Sequence, residues 1–136
     1  MKIQKFTYLN DKLLHDWSKL WEQSPSANMV NSPAWFNAAR IAFGEKPASI
    51  IALYDDLEND LIAIAALVKE KIFAIPVWTV PGGQFADKNS ILVDFHDEEV
   101  IKILLTEISK LGNVYLPEYT SNQQSPHQNG DVAMLF

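Results

Sequence analysis

The feature that most limits what this sequence can fold into is a change of hydrophobic period near residue 48. Upstream of it, apolar residues recur every three or four positions, as in helices that bury one face. Three apolar runs then follow closely, and runs of this kind predict strands. They are ASIIALY (48–54), LIAIAALVKEK (61–71) and IFAIPVWTV (72–80). The chain therefore has to combine helices with a sheet.

The residues between these runs predict how the strands connect. The acidic segment DDLEND predicts a hairpin turn between the first two runs. The third run follows the second so closely that a tight turn at Glu70-Lys71 is needed. Pro76 cannot donate a hydrogen bond to a neighbouring strand, so its strand is expected to be an edge or to carry a bulge, which would present Trp78 outward. Shorter strands are predicted at 2–8, 90–95 and 114–118.

Capping residues and apolar stripes predict three helices. Asn10 or Asp11 begins the first helix and Ser24-Pro25 ends it. The second runs between Ser32-Pro33 and Gly44, and the third between Asp97 and Gly112. The expected buried stripes are Leu13, Leu14, Trp17, Leu20 and Trp21 in the first helix, Trp35, Ala39, Ala42 and Phe43 in the second, and Val100, Ile103, Leu104, Ile108 and Leu111 in the third.

Composition excludes several classes of function. The net charge is −6 and is spread over both halves of the chain, so no basic stripe is available to bind DNA or RNA. The absence of cysteine excludes disulfides, thiolate metal sites and a cysteine nucleophile. The amino terminus lacks the apolar core of a signal peptide, and the longest apolar run, LIAIAALV, is too short to span a bilayer. We expect a cytoplasmic protein without a membrane span.

The glycine pair in VPGGQFADKNSILVDF (80–95) is the most conspicuous candidate site. A dinucleotide fingerprint needs G-x-G-x-x-G leading directly into a helix, and a P-loop needs Gly-Lys-Ser/Thr. Neither is present, and a structural turn is favoured. The candidate residues for a substrate cleft are nevertheless the glycine pair and its neighbours in sequence: Trp78, Gly82, Gly83, Phe85 and Asp87.

No other cluster predicts catalysis or a metal. Asp56, Glu58 and Asp60 have the opening spacing of a calcium loop, but the required glycine and final glutamate are absent. The histidines are too far apart in sequence for a zinc motif. His96, beside two aspartates, is a weak candidate for acid–base chemistry. The catalytic residues are left unassigned, with no metal and no cofactor expected for this chain alone.

The order strand, two helices, three strands, loop, helix and strand resembles the first half of the Gcn5-related N-acetyltransferase (GNAT) fold. Four stretches resemble the amino-terminal part of the FemAB/CelD-like acyltransferases: W-x-x-L-W (17–21), ANMVNSPAWFNAARIAFG (27–44), IAIAAL (62–67) and D-x-x-x-ILVDF (87–95). The resemblance covers residues 1–118. It implies a GNAT-like half domain of the α+β class, with a mixed, mostly antiparallel sheet of about five to six strands, two amino-terminal helices and one later helix.

The resemblance also implies a function. These families transfer an acetyl, other acyl or aminoacyl group to an amine, using acyl-CoA or aminoacyl-tRNA in the full-length relatives. Their coenzyme A loop resembles [Q/R]-x-x-G-x-[G/A], which residues 80–97 do not match. We therefore expect an N-terminal domain that is inactive as an isolated chain and pairs with a C-terminal acyltransferase domain. Residues 119–136 are expected to be a polar tail ending in the apolar segment VAMLF.

Two other hypotheses remain open. The chain could be a non-enzymatic module that binds a partner, or forms a homodimer, through an exposed sheet edge, since VAMLF and the strand with Pro76 both suggest an unpaired edge. It could also be a small α+β domain of unrelated function.

Overall fold

The structure is a computed structural model, and it describes residues 1–42, 44, 46–57, 59–81, 91–94, 97–116 and 134–135. Within these residues the chain forms seven strands and three helices. In chain order they are β1 (Lys2–Phe6), α1 (Asp11–Gln23), α2 (Pro33–Ala42), β2 (Ala48–Tyr54), β3 (Leu61–Ile72), β4 (Ile75–Thr79), β5 (Leu92–Val93), α3 (Glu98–Ser109), β6 (Asn113–Val114) and β7 (Met134–Leu135).

All seven strands belong to one sheet. Its order is β1-β2-β3-β4-β6-β7, and β5 pairs with β3. Every pairing is antiparallel except the one between β4 and β6. The predicted α+β class is confirmed, with a mostly antiparallel sheet, two early helices and one later helix. The described sheet has seven strands, where about five to six were expected.

The sheet separates two apolar cores. Ile50 and Ala52 of β2 pack with α1 and α2 on one face, whereas Ile51 and Leu53 pack with α3 on the other. Both faces of β2 and β3 are therefore buried, which explains why their sequences are continuous apolar runs without a polar residue at every second position.

The starts and ends of the helices agree with the local sequence signals. Asn10 caps α1, since its side chain accepts a hydrogen bond from the Leu13 amide at 2.8 Å. Asp97 caps α3 by accepting from the Glu99 amide at 2.9 Å. Gly112 has a φ of 111°, in the left-handed region that glycine adopts easily after a helix.

The buried faces of α1 and α2 differ from the predicted stripes. Leu14, expected in the α1 stripe, is 43% exposed, and Trp21 is half-buried. In α2 the buried residue is Phe36, which is 2% exposed, whereas Ala42 is exposed. The reason is that α2 packs through Pro33, Phe36 and Ala39, a spacing of three that a pattern anchored on Trp35 misses.

The turn between β3 and β4 lies further along the chain than predicted. It consists of Phe73 and Ala74, not Glu70 and Lys71, and these two residues have φ values of 53° and 68°. Turns with two positive φ values usually contain Asn-Gly or another pair that tolerates this conformation. The sequence IFAI carries no such signal, so the position of the turn could not be deduced from it.

The expected edge at Pro76 is present. Pro76 pairs with Lys71 of β3, and no described strand pairs with β4 on its other side at this residue. The shorter predicted strands are present but truncated: β1 ends at Phe6, β5 covers only Leu92 and Val93, and β6 covers only Asn113 and Val114.

Candidate functional site

The sheet is interrupted along one side of β3. Thr79 of β4 pairs with Val68, so a continuous antiparallel strand would bring residue 84 opposite Ala63. Val93 of β5 lies there instead, and nine additional residues are therefore accommodated between β4 and β5. Residues 65–67 of β3 have no described strand partner on this side. We call this interval the sheet gap.

Serine side chains take the place of a neighbouring strand beside β5. Ser24 and Ser26 both donate their hydroxyls to the Val93 carbonyl, Ser26 at 3.2 Å. The Val93 amide in turn donates to the Ser26 hydroxyl at 3.4 Å. Because backbone groups that are buried need hydrogen-bond partners, these two serines make a strand as short as β5 possible.

Two asparagines fix the conformation of the loop that joins α1 to α2, residues 24–32. The Asn28 amide donates to the Asn31 side chain at 2.9 Å, and the Asn31 amide donates to the Asn28 side chain at 3.1 Å. The Trp17 indole donates to the Asn31 carbonyl at 3.0 Å. Asn31 is only 2% exposed, so its polar groups are committed to structure.

The segment NSPAW joins this loop to the sheet gap. Ser32 caps α2, since its hydroxyl accepts from the Trp35 amide at 3.0 Å and donates to the Met29 carbonyl at 2.8 Å. The Trp35 indole donates to the Pro81 carbonyl at 2.9 Å. Pro81 is the last described residue before Gly82, so the motif that carries the family resemblance contacts the start of the glycine segment.

Thr79 supplies an unpaired hydroxyl next to the gap. Its side chain is 3% exposed, and its Oγ1 has no hydrogen-bond partner within the part of the chain that the structure describes. By register it lies on the same face as Val68, towards α1 and α2. A buried hydroxyl without a partner is costly, and a ligand or water oxygen at this position would be stabilised.

Trp78 does not point outward as expected for an edge strand. It is half-buried against the core on the α3 side, and Lys69 Nζ lies 5.9 Å from the centre of its ring. Its carbonyl accepts from the Tyr115 amide at 3.0 Å, beside the single parallel bridge to Val114. The parallel pairing with β6 covers Trp78, which the sequence pattern did not predict.

Behind the gap the packing is tight. A cavity of about 10 Å³ remains there, close to the minimum that holds one water molecule. Its lining residues are Trp17, Val30, Asn31, Phe36, Ile64, Ala66, Val80 and Pro81. This cavity is too small for a substrate.

Of the five substrate-cleft candidates, only Trp78 is among the described residues. Gly82, Gly83, Phe85 and Asp87 lie outside them, as does His96. Sequence analysis missed Ser24, Ser26 and Thr79. The density of small polar residues in SPSANMVNS is the signal that could have indicated a structured loop.

The polar groups at the gap are hydroxyls, amides and an indole N–H. Such groups can bind and orient a ligand, but they do not ionise near neutral pH and so are poor general acids or bases. Among the described side chains, no three His, Asp or Glu residues lie close enough together to hold a metal ion. None of the three described helices combines the length and apolar character needed to cross a bilayer.

No protein-family model matches this chain, and no curated protein is similar enough in sequence to be counted as a relative.

Proposed function

We propose that this chain is the N-terminal, non-catalytic domain of a FemAB/CelD-like acyltransferase, whose complete form transfers an acetyl, other acyl or aminoacyl group to an amine in the cytoplasm. The observation that carries the proposal is the hydrogen bond from the Trp35 indole to the Pro81 carbonyl. It ties the NSPAW motif, the most specific part of the resemblance, to the segment that contains Gly82 and Gly83.

The order of elements supports the same assignment. The described chain runs from β1 through α1 and α2 to the antiparallel strands β2, β3 and β4, and then through α3 to β6. Helix α3 makes the crossover that places β6 parallel to β4. This is the order on which the resemblance to the GNAT fold rests.

The chemistry at the gap explains why the domain is proposed to be inactive alone. Acyl transfer to an amine depends on orientation and on hydrogen-bond donors for the developing oxyanion. A donor such as coenzyme A also needs amides for its pyrophosphate, and the sequence between residues 80 and 97 lacks the loop that provides them in the resembling families. The second domain would provide that loop.

Calorimetry with coenzyme A and acetyl-CoA tests whether the isolated chain binds an acyl donor, and we expect no binding. A thiol-release assay with acetyl-CoA and amine acceptors tests transfer, and we expect no release of free thiol. Tight binding to this chain by itself would overturn the non-catalytic assignment.

The flanking DNA tests the family assignment itself. An adjacent coding segment with a [Q/R]-x-x-G-x-[G/A] loop, joined to this chain or expressed with it, should produce thiol release that depends on an amine. A joined protein that carries such a loop and still does not transfer would contradict the assignment.

The second candidate is a partner-binding or homodimerising module that uses a sheet edge. Met134 and Leu135 of the apolar terminal segment pair with β6 and form the last strand of the sheet, β7, which has no described partner on its other side. At the opposite end of the sheet, β1 also pairs on one side only among the described strands. Lys2 and Lys5 on this strand are charges of the kind that disfavour edge-to-edge pairing. Light scattering before and after deletion of residues 132–136 tests this candidate.

A further inference from the structure

The hairpin formed by β3 and β4 extends beyond the rest of the sheet. Strand β2 begins at Ala48, which pairs with Val68, so the last four residues of β3 have no partner in β2. We call residues 69–76 the arm. Its tip is apolar and open to solvent: Phe73 is 94% exposed and Ile75 is 52% exposed. Large apolar side chains grouped at a projecting tip often mark an interaction site.

The backbone conformation at the tip is unfavourable for a residue such as Phe73. Phe73 and Ala74 both have positive φ, a conformation that asparagine or glycine adopts at much lower cost. A bulky aromatic at such a position contributes nothing to the core of its own chain, because its side chain is almost fully exposed. The packing of the described residues therefore does not account for Phe73.

A groove of about 470 Å³ lies between α1 and the start of α2 on the same molecule. Its volume is in the range of sites that hold organic ligands, about 300–1,000 Å³. The wall is mainly apolar, with Met29 65% exposed. The lining residues are Ser18, Trp21, Glu22, Met29, Ser32, Pro33 and Ala34.

The charges of the two surfaces are complementary. The arm contains Lys69, Glu70 and Lys71 and so carries a net charge of +1, whereas Glu22 is the charged residue in the lining of the groove. An acidic, apolar groove on a second copy is therefore a match for the arm.

We propose that the arm of one copy docks into the groove of a second copy, with Phe73 inside the groove and Lys71 facing Glu22. This inference does not depend on the acyltransferase proposal. An aromatic side chain buries about 150–250 Å², and stable interfaces bury about 1,200 Å² or more. The contact is therefore weak, and self-association increases with concentration.

Sedimentation velocity over a series of protein concentrations tests the proposal, using four forms of the full chain. Phe73→Asn removes the aromatic ring at a φ that asparagine tolerates. Met29→Lys removes an apolar wall residue and repels the arm. Leu57→Asn is the matched control, since Leu57 is 93% exposed at the tip of the β2–β3 turn.

We expect the wild type and Leu57→Asn to associate equally, and Phe73→Asn and Met29→Lys to weaken association at least tenfold. Mixing the two weakened variants should restore part of it, because one arm and one groove remain intact. A wild type that is monomeric at about 1 mM contradicts the proposal. A loss caused by Phe73→Asn but not by Met29→Lys also contradicts it, since the arm would then have a different occupant, such as a partner protein or a lipid surface.

Discussion

At the scale of single residues, the buried polar groups distinguish structural positions from the candidate site. Burial, and then Asp16, raises the pKa of Tyr54, whose hydroxyl donates to that carboxylate at 2.9 Å. Glu107 is 8% exposed and binds Lys110 at 2.8 Å and Lys5 at 3.1 Å. Both groups are satisfied within the described chain, whereas the Thr79 hydroxyl is not. Satisfied groups stabilise the fold, and the unsatisfied one lies beside the gap.

Glu107 gives the stability of the protein a specific acid dependence. Hydrogen bonds from Lys110 and then Lys5 hold the pKa of its carboxyl below the ordinary value of 4.5. The stabilisation is therefore present above pH 4.5 and is lost as the pH falls through the lower value of the folded state. Glu107→Gln should lower the free energy of unfolding by about 1 kcal/mol at pH 7, since both lysines are half-exposed. It should also reduce the further loss of stability that the wild type shows below pH 4.5.

Urea unfolding at pH 7 and at steps below pH 4.5 measures this dependence. Glu98→Gln, at an exposed position in the first turn of α3, is the control and should lose stability below pH 4.5 as the wild type does. An identical pH dependence in the Glu107 variant and the wild type would show that the two lysine contacts do not contribute.

The turn residue Phe73 is expected to lower stability in the isolated chain. A non-glycine residue at positive φ costs about 1–2 kcal/mol relative to one that tolerates it. Phe73→Asn should therefore raise the free energy of unfolding by about 1 kcal/mol, measured by urea at a protein concentration where the chain is monomeric. Leu57→Asn is the control. A lower stability for Phe73→Asn would mean that the aromatic ring contributes to the folded chain.

At the scale of elements, the predictable features were those with local causes. The starts of α1 and α3 follow from Asn10 and Asp97, whose side chains cap amides two or three residues away. The short extent of β5 was not predictable, because it depends on serines about seventy residues distant in sequence. The same holds for the site: a glycine pair is visible in a sequence, but Thr79 becomes notable only when its missing partner is known.

Strand β5 should depend on the serines that contact it. Replacing Ser24 and Ser26 together by alanine leaves the amide and carbonyl of Val93 without these partners. We expect a loss of about 1–3 kcal/mol in stability, and faster hydrogen exchange at Val93 than in β2. Ser18→Ala in α1 is the control. Unchanged exchange at Val93 would show that other groups satisfy β5.

At the scale of the whole molecule, β3 joins the two cores. Ile64 and Val68 contribute to the core beneath α1 and α2, and Ala63, Ala65 and Leu67 to the core beneath α3. Because both cores contain residues of β3, neither core can unfold without disrupting this strand. We infer that the described fold unfolds as one cooperative unit.

A pair of substitutions on opposite faces tests whether the fold unfolds as one cooperative unit. Leu20→Ala under α1 and Leu104→Ala under α3 remove side chains that are 1% and 0% exposed. Each should cost about 2–5 kcal/mol, and the double variant should show the sum within about 0.5 kcal/mol. Leu57→Ala, at an exposed site, should change stability by less than about 0.5 kcal/mol. Two separate transitions in urea would contradict a single unit.

The register on the two sides of the gap has a consequence for engineering. Removing nine residues, 82–90, would join Pro81 directly to Ile91 and leave both β4 and β5 opposite the same residues of β3 as before. We therefore expect that peptides of other lengths can be grafted between Pro81 and Ile91 while the hydrogen-bond ladder on either side keeps its alignment.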